Sequence, residues 1–209
     1  LLGAVLMWDF FGRVMHGVTT AFLEDVWSRN FLNLFASPLL LSEYLTGLVV
    51  TSILTSLVGL VVMLVLASAA FGLSFAAYGA MFLPFLLVLF LFGIALGVFS
   101  SAVVLRLGPA SEWFVWPVPA LLSPFAGVFY PLDTLPAWMQ AVGYLLPPSY
   151  VFEGMRAIVL DGAFAGQLLA WSVALALLYI VLACWFFLRV YRHAVRTGLI
   201  ARYSAESLS

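Results

Sequence analysis

Lysine is absent from this chain, and its eight basic residues are all arginine. A phosphate-binding P-loop needs a lysine against the β- and γ-phosphates, so the chain cannot itself be a P-loop ATPase. Schiff-base chemistry needs a lysine amine and is excluded too. Cysteine occurs once, at Cys184 in an apolar run, which rules out an intrachain disulfide and a CxxC metal site. The only histidines, His16 and His193, are far apart, and there is no HExxH. No metal-ligand set is therefore legible. The formal net charge of −1 gives no basic field for nucleic acid.

Charge of either sign is scarce. Only 8% of residues are charged, against about 25% in a soluble domain. Apolar residues make up 66% of the 209. A small soluble fold must show much of its surface to water and cannot hide that fraction. The chain is therefore an integral membrane protein. Its apolar runs lack the alternation of barrel strands, so the fold class is all-α. At about 20 residues per span, the length allows five or six helices.

Charge-free runs place the spans. Residues 44–105 hold no charge and no histidine, enough for two spans with a turn near Gly72. Those spans are expected at about 40–68 and 81–104, with another at 163–188. A fourth, 113–132, should be kinked by Pro117, Pro119 and Pro124. A fifth, about 1–22, carries Asp9, Arg13 and His16. Residues 134–152 are also uncharged but hold Pro136, Gly143, Pro147 and Pro148. If that stretch does not cross, Arg29, Arg106, Arg189, Arg192, Arg196 and Arg202 fall on one side and Arg156 on the other. The positive-inside rule favours that arrangement. Residues 133–162 are then two short helices dipping into the outer leaflet without crossing it. The first should start near Pro136 and the second should be capped by Ser149 and end at Asp161-Gly162. The tail, 189–209, is basic and then polar, as suits a cytoplasmic anchor attracted to anionic lipid.

Between the first two spans lies an amphipathic stretch, residues 23–37. Val26, Trp27, Asn30 and Phe31 recur at helical spacing, with Glu24, Asp25, Ser28 and Arg29 on the other side. Two acids at its start would suit a helix dipole. Such a helix can lie flat on lipid or dock into a soluble partner. Asp9, Arg13 and His16 are four and three apart, hence on one helical face. They can form a substrate or proton pathway, or an internal Asp9–Arg13 pair at a helix contact. Gly93 and Gly97 make a GxxxG pattern that suits close packing within a subunit or at a dimer seam.

The stretch FLEDVWSRNFLNLFASPLLLSEYLTGL at 22–48 resembles the cytoplasmic segment of the type-2 ATP-binding-cassette (ABC) exporter permeases. So does SPFAGVFYPLDTLPAWMQAVGYLLPPSYVFEGMRAIVLDG at 123–162. Gly127-Val128-Phe129-Tyr130-Pro131, Leu135-Pro136-Ala137-Trp138, Leu146-Pro147-Pro148 and Glu153-Gly154-Met155-Arg156 follow in that family's order. The resemblance implies one permease domain with five spans here and six in the natural chain. The family's N-terminal interface helix and first span would then precede residue 1.

It also implies a coupling helix at 23–37 whose Glu24, Asp25, Trp27, Arg29, Asn30 and Phe31 contact an ABC ATP-binding subunit. The 133–162 hairpin becomes an outer gate, with Phe129, Tyr130, Pro131, Pro136, Tyr150, Glu153 and Arg156 as its residues. The chain would be no enzyme and hold no cofactor or metal, because ATP and Mg would sit in the partner ATPase. A second permease chain, in a homodimer, and membrane lipid are the other expected partners. The implied location is a cell membrane, inner or plasma, and the implied cargo a drug, lipid or lipid-linked glycan. The alternative is an ion-coupled secondary transporter working through Asp9, Arg13 and His16.

Overall fold

The computed structural model describes residues 2–28, 40–72, 82–162 and 165–197. All regular structure among them is helical. Four long helices dominate: α1 (Leu2–Trp27), α2 (Leu41–Phe71), α3 (Phe82–Leu107) and a late helix, Gly166–Thr197. Between the last two lie α4 (Glu112–Val115), α5 (Val118–Leu122), α6 (Ala137–Gly143) and α7 (Pro147–Asp161). The late helix is therefore α8.

Among the described residues, three stretches are long and apolar enough to cross a membrane: Ser42–Ala69, Phe82–Leu107 and Gly166–Thr197. α1 has 26 residues, about 39 Å at 1.5 Å per residue. Its polar face keeps it out of that group.

Side-chain contacts fix the directions of the helices. On α1, Val14 and Val18 meet Gly93 and Gly97 of α3 in the same order, so these helices run parallel. Small residues permit this approach, and Gly93 and Gly97 thus pack inside the subunit. α2 runs antiparallel to α1. Tyr44 meets Asp25, Ser52 meets Val14, and Gly59 lies beside Arg13. Phe92 against Tyr179 and Phe99 against Phe186 set α3 parallel to α8.

A chain that leaves α3 and enters a parallel α8 must first travel back. Residues 109–131 do so along α1. Trp116 rests on His16 (centroids 4.7 Å apart), Pro119 faces Gly12, and Val128 and Phe129 line one pocket with Ala4. The stretch 113–132, expected as one span kinked by its prolines, is a broken helical path. A 3₁₀ turn (Pro109–Ser111), α4 and α5 are followed by turns. Prolines 117, 119 and 124 lack an N–H, and each interrupts the ladder. Trp116 still donates to the Glu112 carbonyl, and Leu121 to that of Pro117.

The bundle thus has a basic end, holding Trp27, Arg106 and Arg189 to Arg196, and an opposite hairpin end. α6 and α7 form the hairpin. Its turn reaches Tyr179, whose hydroxyl donates to the Leu145 carbonyl (3.2 Å). Tyr179 is 13 residues into α8 (166 to 179), about 20 Å along its axis. α7 ends at Gly162 (φ 62°). Its N-cap is Leu146 with Pro147 at N1, so Ser149 is not the cap expected from sequence. That hydroxyl donates instead to the Phe125 carbonyl (3.2 Å).

α3 is the central helix. Some 56% of its most apolar window is buried, against 22% in α2 and in α8. The flanks of α2 and α8 are left for lipid or other chains.

Candidate functional site

Polar residues at membrane depth are the first place to look, because hydrocarbon penalises them. On α1, Arg13 Nε donates to Asp9 Oδ2 at 2.7 Å, and both side chains are about half exposed. Thr20 and Glu24 continue the same face, at spacings that follow His16 by four and eight. This face opens on a groove of about 410 Å³ against α2. Arg13, His16, Thr20 and Glu24 line one wall, and Thr51 and Thr55 the other. The buried His16 Nε2 has no hydrogen-bond partner among the described residues. Ser52 turns away from the groove and donates to the Val14 carbonyl (3.0 Å).

Asp9 and Arg13 satisfy one another, which sets up a test by paired substitution. Asp9→Asn should leave Arg13 unpaired and lower the yield of folded protein in membranes severalfold. Asp9→Asn/Arg13→Gln should recover that yield, because no charge is then stranded. Quantified membrane-fraction yields for the three chains check this. A double variant as poor as the single would contradict it.

At the basic end, α1 runs unbroken to Trp27. The boundary expected near residue 22 is corrected. Nothing after Gly17 breaks the helix, and Phe22, Leu23 and Val26 are drawn into the core. Glu24 and Asp25 therefore sit in the last turn of α1 rather than the first turn of a new helix. The dipole there disfavours acids. Tyr44 of α2 compensates by donating its hydroxyl to Asp25 Oδ2 at 2.9 Å. Trp27 is half exposed. Arg29, Asn30 and Phe31, with the rest of the expected coupling helix, lie outside the described residues.

At the hairpin end, Gly127, Tyr130, Leu132, Glu153 and Arg156 form a clasp. Arg156 Nη2 donates to the carbonyls of Gly127 and Tyr130. It also pairs with Glu153 Oε1 at 3.0 Å. Glu153 Oε1 in turn accepts the Leu132 N–H at 2.8 Å. One ion pair thus pins the turn after α5 to the face of α7. Gly127 allows it, with φ at 67° and no Cβ to crowd the guanidinium 3.1 Å away. The Tyr130 hydroxyl donates to the Pro124 carbonyl, closing the same turn. Phe129 and Pro131 are exposed, and Pro136 caps α6. Tyr150 donates to the Tyr144 carbonyl (3.0 Å). The clasp brings together Tyr130, Glu153 and Arg156 but leaves Pro136 and Tyr150 apart from it.

A family model described as ABC-2 type transporter matches residues 4–160. The chain belongs to that family. A comparison with curated proteins finds no match. The matched stretch of this ABC-2 type permease takes in the polar face of α1, the groove against α2, the broken path and the clasp. A permease of this kind is the membrane component of a transporter and is not itself catalytic. Its family implies an ABC ATP-binding partner.

Sequence reasoning on the permease missed Thr20, Thr51 and Thr55. Their signal was present, since Thr51 and Thr55 are one turn apart within the charge-free run 44–105. Nothing in the spacing shows which neighbour that face meets. Gly127 and Leu132 were quoted only as parts of a family motif, because their role depends on a carbonyl and an N–H meeting α7.

Proposed function

We propose that this chain is the permease subunit of an ATP-driven exporter. Two copies would frame the pathway, and separate ATP-binding subunits would supply the energy. The polar face of α1 is the observation that supports the pathway. Arg13, His16, Thr20 and Glu24 stand in an open groove at depths where lipid contact is costly. Such a face suits water, cargo or a second protein surface better than hydrocarbon. A homodimer closing over it would form a conduit for a drug, lipid or lipid-linked glycan. The positive-inside rule puts the basic end in the cytoplasm of a cell whose inner or plasma membrane holds the protein.

The end of α1 supports the coupling role. α1 carries its rigid rod to Trp27, and Tyr44 ties its last turn to the start of α2. A push on residues 23–37 would reach both helices together. Glu24, Asp25 and Arg29 would set partner choice, and Trp27 and Phe31 would anchor in the ATPase. ATP and Mg would bind only in that partner. Outward release would pass the hairpin, with its clasp holding the outer gate in place.

The test is reconstitution of the full transporter with its ATPase. Trp27→Ala should lower permease-stimulated ATP hydrolysis about tenfold, as loss of an interface anchor does. Insertion of the permease should be unchanged. Normal stimulation in that variant would contradict the coupling assignment. The ion-coupled alternative is less favoured, since Asp9 and Arg13 neutralise one another.

A further inference from the structure

One surface is used by neither the groove nor the clasp. It lies between α3 and α8, on the outer flank of the bundle. A furrow of about 330 Å³ runs there, and its lining is wholly apolar. Ala95 and Ala183, both buried, form the floor. Phe99, Leu182, Trp185 and Phe186 form the walls. Two small residues facing one another, flanked by large ones, account for the channel between two packed helices.

The furrow ends toward a group of cations. Arg189, Arg192 and Arg196 follow Trp185 on the same face of α8, at spacings of four, three and four. All three are exposed, as is Arg106 at the end of α3. The Arg189 guanidinium lies over the Trp185 ring, 4.9 Å from its centroid. None of these arginines has an acidic partner among the described residues. There is no acid at all between Gly162 and Ala205.

Dimensions narrow the occupant. Tyr179 to Phe186 is seven residues, about 10 Å of helix. About 330 Å³ of apolar space over that length suits a slender acyl chain better than a helix about 10–12 Å across. The furrow fits one hydrocarbon chain. From Tyr179 to Arg189 is ten residues, about 15 Å, and half a bilayer core is about 15 Å. A chain lying in the furrow would place its headgroup beside the arginines.

We propose that this furrow and its arginines form a binding site for one anionic phospholipid. The acyl chain lies between Phe99 and Trp185, and the phosphate meets Arg189 and Arg192. The site depends only on the chain being a membrane protein, so it stands whether or not the export reading does.

The test uses the full chain in vesicles of phosphatidylcholine and phosphatidylglycerol at three to one. The protein is released gently and its bound lipid is counted by native mass spectrometry. Phosphatidylglycerol should be retained in strong preference to phosphatidylcholine. Arg189→Gln/Arg192→Gln should lower that preference roughly tenfold or more, since each arginine near an anionic surface contributes. Arg189→Lys/Arg192→Lys, with the charge kept, should retain most of it. Ala183→Phe, which fills the furrow, should lose the retained lipid. Equal retention of both lipids by the natural chain would overturn the proposal. So would a preference unchanged within twofold in the glutamine variant. A lipid-free second copy of the chain, lost in Ala183→Phe, would assign the furrow to an interface instead and would also overturn it.

Discussion

Gly97→Leu is expected to abolish the folded permease. A Cβ at Gly97 would stand 2.6 Å from Val18 Cβ and 2.8 Å from the Met15 carbonyl oxygen. Gly93 has a similar clash with Val14 and with the Phe11 carbonyl, at 2.9 Å and 3.1 Å. Carbonyl oxygens belong to the α1 backbone and cannot swing aside as a flexible side chain can. The two rods would have to separate along the seam that buries Phe11, Val14, Met15 and Val18. Each added group in a close-packed contact costs about 1–3 kcal/mol. Gly97→Ala should therefore lose about 2 kcal/mol, and leucine adds three more carbons. Gly47 on α2 is the control, because nothing lies within 4 Å of its missing Cβ. Gly47→Leu should fold normally, and leucine even favours helix there. Size-exclusion profiles of the two variants in mild detergent separate the outcomes. Equal monodisperse peaks for Gly97→Leu and Gly47→Leu would show that α1 and α3 do not pack through this seam.

Arg156→Ala should lower the melting temperature by roughly 5–10 °C, a loss of about 2–3 kcal/mol in a chain of this size. One guanidinium nitrogen serves the carbonyls of Gly127 and Tyr130 and the Glu153 carboxylate. Its removal leaves those acceptors and a part-buried carboxylate without their donor. The pair is about a quarter exposed, so the loss falls at or below the bottom of the range for fully buried pairs. Glu153→Gln should do about half as much damage. Its remaining amide oxygen still accepts the Leu132 N–H, and only the ion pair is gone. Thermal unfolding followed by tryptophan fluorescence checks the series. Trp138 reports the hairpin directly, since its ring packs against Phe125 of the pinned turn. A melting temperature within 2 °C of the natural chain for Arg156→Ala would contradict the clasp.

Much of this architecture is legible from charge alone. Long runs without a charged residue bound α2, α3 and α8, because charges are too costly to scatter within spans. The hairpin follows from the distribution of arginines. Were it to cross, the arginines of α8 would stand opposite Arg106. In the structure α3 and α8 lie parallel, which forces a return path along α1. That path was the harder part. Three prolines predict kinks, but whether a kinked helix survives depends on what its neighbours supply. Here Pro119 packs against α1 beside Gly12, and the helix breaks into pieces.

The end of α1 misled for a related reason. Glu24 and Asp25 look like the acids of a helix start. The setting of Asp25 rests on Tyr44, nineteen residues away, which no local pattern includes. In the groove, the α1 wall was legible because charged residues stand out in an apolar run. The α2 wall was not, because threonines are common in membrane helices and point to no partner by themselves. Ser149 shows the same limit. A serine near a helix start is a good cap by rule, yet its hydroxyl donates to the Phe125 carbonyl across the turn.

The central claim is that energy enters this chain from a separate ATPase at its basic end. Co-purification tests it most directly. The natural, full-length permease is extracted gently from native membranes, and its companions are identified by mass. The account predicts a stoichiometric soluble ABC ATPase that is lost in Trp27→Ala/Arg29→Ala. A clean permease complex without an ATPase, whose transport stops with a proton ionophore while ATP is still present, would contradict it.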